Sequence, residues 1–169
     1  MVSLPSMLTH ADGESPVREQ TTVVGDVRAR LTDLPRLDGI SVLVVDDEQD
    51  GRRVLKRLLE IRGASVATAA SVDEALEVLE GRVPDVILSD IGMPGQDGYD
   101  FIRRVRHLSS EHGGETPAAA VTAFARSDDR IRTLRSGFQM HLAKPVDPLE
   151  LLTAVAALAG RISSHPDLH

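Results

Sequence analysis

Apolar and polar positions along this chain alternate in short blocks of two kinds. Five apolar runs, at 41–45, 65–69, 85–89, 117–121 and 139–143, are rich in Val, Leu, Ile and Ala. Runs of this length suit strands, and the continuous ones suit strands buried on both faces of a parallel sheet. Between and after them, segments 50–62, 71–80, 97–108, 127–136 and 147–160 carry apolar residues at helical spacing. Five βα alternations in a row predict one doubly wound α/β domain around a five-stranded parallel sheet.

The punctuation agrees with these elements. Ser71-Val72-Asp73-Glu74 has the spacing of a capping box, in which the Ser oxygen and the Glu carboxylate satisfy orphan N–H groups. Asp147-Pro148-Leu149-Glu150 repeats the device with Pro at the first helical position, where its missing N–H costs nothing. Gly63, Gly81, Gly137 and Gly160 fall where helices are expected to stop. In the first helix Val54, Leu55, Leu58, Leu59 and Ile61 are expected to face inward, with Arg52, Arg53, Lys56, Arg57, Glu60 and Arg62 mostly outward. The last helix, Leu149 to Ala159, is apolar nearly all round, so its outer face is expected to be covered by a second copy, another domain or the N-terminal tail. Residues 1–38 hold no steady period and read as an irregular linker or tail, with a short helical stretch around Val27–Leu31. The domain is placed at 39–161, with a C-terminal tail at 162–169.

Polar residues close several of the apolar runs. Asp46 and Asp47 end the first, Asp90 the third, Thr122 the fourth and Lys144 the fifth, before Pro145. In open parallel sheets ligands bind beyond the carboxyl ends of the strands, so these residues are expected to converge on one pocket. Each has a plainer reading by itself: a helix-capping turn for Asp46-Asp47-Glu48, a β-branched strand end for Thr122, a solvated amine for Lys144. Their joint placement points to chemistry. Crowded carboxylates repel, and a divalent cation removes that penalty. All-oxygen ligands favour Mg²⁺, which commonly shares its site with a phosphate. The Thr122 hydroxyl and the Lys144 ammonium can bind phosphoryl oxygens, and Asp90 is a candidate nucleophile that would form an acyl phosphate.

Composition narrows the classes. Among 169 residues there are 19 basic and 26 acidic ones, a net charge of -7, which argues against nucleic acid as the main partner. The chain has no Cys, which excludes a disulfide framework and thiolate metal sites and agrees with a cytoplasmic location. Met1-Val2-Ser3-Leu4-Pro5 is unlike a secretory signal, and no apolar stretch approaches the ~20 residues of a membrane span, so no membrane contact is expected.

Four segments carry a resemblance. Val44-Val45-Asp46-Asp47-Glu48, Ser89-Asp90-Ile91-Gly92-Met93-Pro94-Gly95-Gln96-Asp97-Gly98, Val121-Thr122-Ala123 and Lys144-Pro145, in this order, resemble the receiver domain of two-component response regulators. The resemblance covers roughly 39–161. It implies the flavodoxin-like strand order 2-1-3-4-5, as in the chemotaxis member of that family. It implies that Asp90 accepts a phosphoryl group from a histidine kinase or a histidine phosphotransfer protein. Asp47 would bind Mg²⁺ directly and Asp46 through water, with the Gly92 carbonyl as a further ligand. Lys144 would bridge the carboxylates and then the phosphate, and its bond to Pro145 is expected to be cis. Thr122 would move toward the phosphate. His141, three residues before Lys144, occupies a position where the family often carries an aromatic switch residue. Gly92 and Phe124 fall where the family tunes phosphate lifetime. No turnover enzyme is expected; the chain would gain and lose its own phosphoryl group.

Other classes fit less well. An aspartate-nucleophile, Mg²⁺-dependent phosphohydrolase uses the same residue types, but places a D-x-D after its first strand, the second Asp serving as general acid; here the first strand ends in adjacent Asp46-Asp47, and Asp90 is followed by Ile91 and Gly92. A flavin-binding domain needs a Gly- and hydroxyl-rich loop where this chain has acids. Segment 137–148 resembles receivers fused to hybrid histidine kinases, which makes such an origin the leading expectation, with a stand-alone receiver as the alternative.

Overall fold

The computed structural model describes residues 34–123 and 126–161. The chain divides into Met1–Leu34 and Pro35–His169, and every element below belongs to the second unit. The expected helical stretch at 27–31, Phe124 and the tail at 162–169 lie outside the described residues.

The elements alternate as expected: β1 Ser41–Val45, α1 Gln49–Ile61, β2 Ser65–Ala69, α2 Val72–Gly81, β3 Val86–Asp90, α3 Gly98–Arg106, β4 Ala118–Thr122, α4 Ser127–Ser136, β5 Met140–Ala143 and α5 Pro148–Leu158. A 3-10 turn at Ser110–His112, absent from the sequence reading, follows α3. All pairings are parallel, in the order β2-β1-β3-β4-β5. The expected doubly wound sheet and its strand order are both present. β3 and β4 each run one residue later than expected, because Asp90 and Thr122 still take part in the ladder as partners of Val121 and Ala143.

The sheet is a core element on both faces. Leu43 and Val45 pack with Ile87, Ala118 and Ala120 against Val72, Ala75 and Leu79 of α2 and Phe101, Ile102 and Val105 of α3. On the other side of the pleat Val42, Val44, Leu88, Ala119 and Val121 are also buried, as are Leu55 and Leu59 of α1 and Leu151, Leu152 and Val155 of α5. α1 touches α5, whereas α2 touches α3 and α3 touches α4. The run of small residues in β4 lets helices close over the sheet without aromatic bulk; Ala118, Ala119 and Ala120 are fully buried.

Several local expectations need correction. Val54 and Ile61 are 58% and 66% exposed, so the buried stripe of α1 is Leu55 and Leu59, with Leu58 at its margin. α5 buries Leu151, Leu152, Ala154, Val155 and Ala156 within its own domain, leaving Leu149 as its one exposed large apolar side chain. At α2, Ser71 accepts from the Glu74 N–H at 3.2 Å, but the Glu74 carboxylate returns to the Ala70 N–H rather than to that of Ser71. The complete reciprocal box is at α3, between Asp97 and Asp100. Gly81 is the last residue of α2 and the chain leaves through extended Arg82, whereas Gly63 (φ 98°) takes the left-handed turn that ends α1.

Two anchors lie away from the carboxyl edge of the sheet. Leu37, fully buried, heads a segment in which the Leu37 N–H donates to Arg62 O and the Arg62 guanidinium to Pro35 O. The Arg106 guanidinium donates to the carbonyls of Gly114, Thr116 and Gly137 and to Gln139 Oε1, joining α3 to the turns that lead into β4 and β5.

Candidate functional site

The strand order reverses between β1 and β3, and the crevice at the carboxyl ends of those two strands is where a ligand is expected in such a sheet. β1 delivers Asp46 and Asp47 there, and β3 delivers Asp90. Each of these three acids offers a carboxylate oxygen within 4.8 Å of the others. Asp46 and Asp90 are buried, and Asp47 is exposed. Lys144, one residue past β5, reaches across: its Nζ lies 3.2 Å from Asp46 Oδ2 and 3.5 Å from Asp90 Oδ2. The Lys144–Pro145 bond is cis, as the resemblance implied.

Asp46 is held at four points. Its N–H donates to Ala69 O, and its Oδ1 accepts from the Glu48 N–H at 2.9 Å. Lys144 takes Oδ2, and Arg52 Nη1 donates to the main-chain carbonyl at 2.6 Å. Asp90 is framed differently. Its Oδ1 accepts from the Gly92 N–H at 3.3 Å, while the buried Ser89 hydroxyl donates to its carbonyl. The loop after it closes through Gly98 N–H to Ile91 O, and Gly98 backs directly onto the Asp90 main chain. A Cβ at position 98 would overlap the Asp90 carbonyl oxygen and stand 2.7 Å from Ile91 Cα, so only glycine fits there.

Burial pushes the Asp90 pKa above the usual carboxylate value; Lys144 opposes the rise and the Asp46 charge adds to it. Burial works against the charge of Lys144 as well, but Asp90 and Asp46 outweigh it and hold the ammonium above its ordinary value. The pocket thus contains more negative charge than its own lysine neutralises. Its donors are all oxygen, and the three carboxylates stand close enough together to hold a hard metal ion.

The remaining predicted residues take separate places. Thr122, buried at the end of β4, is joined to Lys144 through the main chain, its carbonyl accepting from the Lys144 N–H at 2.8 Å. Gly92 meets Asp90 through its N–H. His141, half-buried on β5, does not line the acid crevice. It faces a groove of about 660 Å³ between α4 and α5, with Arg130, Leu134, Leu149 and Glu150 among its walls. The sequence reading missed Arg52, which it placed outward; position 52, one turn into α1, is compatible with a fold back over Asp46, but nothing in the apolar period signals it.

Comparison with known proteins adds a family to this geometry. Residues 42–156 match the sequence profile described as the response regulator receiver domain. The chain is 50% identical over 117 residues to an uncharacterized 14.6 kDa protein in the sodA1 3' region of Leptolyngbya boryana, a match covering 69% of this chain and 87% of that one. It is 38% identical over 125 residues to the sensor histidine kinase RcsC of Salmonella typhi, covering 74% of this chain but only 13% of the kinase. Among solved structures it is similar to the Vibrio cholerae chemotaxis protein CheY4, at 30% identity and a TM-score of 0.66, over 70% of this chain and 98% of that one.

Proposed function

The chain belongs to the response regulator receiver domain family, and from that premise we propose that it is a phosphoacceptor in two-component signalling, with Asp90 as the accepting residue. The observation that carries this reading is the three-acid cluster at the β1 and β3 ends, bridged by Lys144. The donor is a phosphohistidine on a histidine kinase or phosphotransfer protein. An Asp90 carboxylate oxygen forms the new O–P bond as the donor N–P bond breaks, and the imidazole leaves neutral, its other nitrogen protonated. Lys144 shifts from its two carboxylates to a phosphoryl oxygen, and the Thr122 hydroxyl donates to another.

Asp46, Asp47, Asp90 and the Gly92 carbonyl are the residues that would hold Mg²⁺, which offsets the charge of the carboxylates and of the incoming phosphoryl group. Phosphohydrolase chemistry has no support here, since no carboxylate stands two residues after Asp90 to serve as general acid. The partner is received beside the pocket mouth. There Val54 and Leu58 of α1 border a cavity of about 320 Å³ with Pro145, Val146 and Lys144. The switched state is read on the far side of Lys144. Thr122 and His141 act as the switch, and the groove that His141 lines meets a second copy or a kinase domain. No described helix is long and apolar enough to cross a membrane. The test is labelling with acetyl phosphate in Mg²⁺, read by intact mass. The wild type gains one phosphoryl group, and Asp90→Ala gains none; undiminished labelling of Asp90→Ala overturns the assignment.

A further inference from the structure

Two adjacent positions at the start of α1 bear on Asp46 from outside the set of residues that touch metal or phosphate. Arg52 folds back along the helix, and its Nη1 donates to Asp46 O at 2.6 Å, a short charge-assisted bond. Gly51 presents bare backbone to the carboxylate of the same residue. A Cβ there would stand 2.8 Å from Asp46 Oδ2, the oxygen that accepts from Lys144. The Asp46 N–H is already fixed on Ala69 O. Arg52 therefore pins the other end of the residue and, with it, the peptide that sets the direction of Asp47.

We propose that Arg52 and Gly51 are positioning residues of the acid pocket: Arg52 by holding the Asp46–Asp47 peptide, and Gly51 by leaving the space that the Asp46 carboxylate occupies. The inference rests on the metal-binding reading above. It makes a claim about sign. A cation beside three carboxylates competes electrostatically with a bound metal, so if charge were its role, deleting Arg52 would tighten metal binding, and added salt would erase the effect. If its role is to place the ligands, deleting it loosens binding despite the more negative pocket. Groups that orient metal ligands from behind are typically worth about 10–100-fold in affinity.

The experiment is a Mg²⁺ titration of the full chain, followed by the amide shifts of Asp47 and Gly92, with thermal melts alongside. Arg52→Met, which keeps length but has no donor, is expected to bind Mg²⁺ roughly tenfold more weakly. Arg52→Lys, which keeps a donor and the charge, is expected to stay within about threefold of wild type. Gly51→Ala leaves every charge in place and favours helix, yet it is expected to weaken binding about as much as Arg52→Met. An Arg52→Met protein that binds as tightly as wild type, or more tightly, overturns the role of Arg52 while leaving the metal reading intact. If Arg52→Met does not fold, Gly51→Ala decides alone, and unchanged affinity there overturns the proposal. A wild type whose amides ignore Mg²⁺ overturns the metal reading and this inference together.

Discussion

Replacing Asp90 by Asn should make the protein more stable, although it removes a contact with Lys144. Asn keeps the shape of the side chain and an oxygen for the Gly92 N–H, but not the charge. At an effective dielectric constant of about 20, carboxylates at the 4.8 Å limit repel by roughly 3.5 kcal/mol per pair. The Lys144 ammonium at 3.5 Å returns about 5 kcal/mol to Asp90 on the same scale. Asp47 is exposed and counts for less. These two contributions alone slightly favour the charge, but the several kcal/mol that it costs to bury the Asp90 carboxylate reverses the sign, leaving it unfavourable by about 1–2 kcal/mol, or roughly 3–7 °C of midpoint for a domain of this size. The direction of the Asp90 pKa agrees, and it sets the pH dependence. Because the folded pKa is raised, the folded state holds more protons than the unfolded chain between the two values, so stability falls as pH rises through that window. Below about pH 4 the carboxyl is protonated in both states, and the advantage of Asn should vanish. Thermal melts in EDTA at pH 7 and at pH 3.5–4, then in Mg²⁺ at pH 7, read all of this. Mg²⁺ should narrow the gap by stabilising the wild type more. An Asn variant that melts at or below the wild type in EDTA at pH 7, or a gap that persists in acid, would refute the charge argument.

Three other outcomes are expected. Leu37→Ala should cost about 2–4 kcal/mol in urea unfolding, since Leu37 is fully buried; an unchanged midpoint would mean that the segment before β1 unfolds separately. Gly98→Ala should destabilise by roughly 2–3 kcal/mol, because its Cβ meets main chain rather than a movable side chain, and it should also slow acetyl phosphate labelling; full labelling at wild-type stability would show that the loop shifts freely. Gly92→Asn should speed loss of the phosphoryl group by about tenfold if its amide orients the attacking water with ~1.4 kcal/mol, measured as decay of phosphoprotein in Mg²⁺; an unchanged decay would mark Gly92 as a packing choice.

The strands and the site were legible in the sequence for the same reason. A parallel strand covered on both faces is mostly apolar, so charged and polar residues gather where the strand emerges, and Asp46, Asp90, Thr122 and Lys144 each mark such an exit. The helical periods were less informative. In α1, positions 54, 58 and 61 form one apolar stripe and 55 and 59 another; the pattern does not say which of them meets the sheet. The segment before β1 looked like linker because its few apolar residues keep no sustained period, and the carbonyl that accepts from the Leu37 N–H belongs to Arg62, far along the chain. Arg52 was invisible because its role depends on a side chain turning back along its own helix. His141 could be placed on β5 from sequence, but the groove it faces is made by α4 and α5, and only the fold brings them together.

Arg161, just beyond α5, donates through Nη2 to Asp38 O at 2.7 Å, so the segment that leads into β1 and the one that leaves α5 are fastened to each other. They meet at the edge of the sheet where the strands begin, opposite the edge that carries the carboxylates. A longer polypeptide could therefore bear this body as a pendant, leaving its main path at one residue and resuming it a few ångströms away. A body hung from a single point can swivel about it, and its far pole then sweeps a shell whose radius is the body's own diameter. The local concentration of the acid crevice around any histidine within that shell would be governed by the give in the suspension, not by affinity alone. Cutting the Arg161–Asp38 tie should change how often the crevice arrives without altering what it does on arrival.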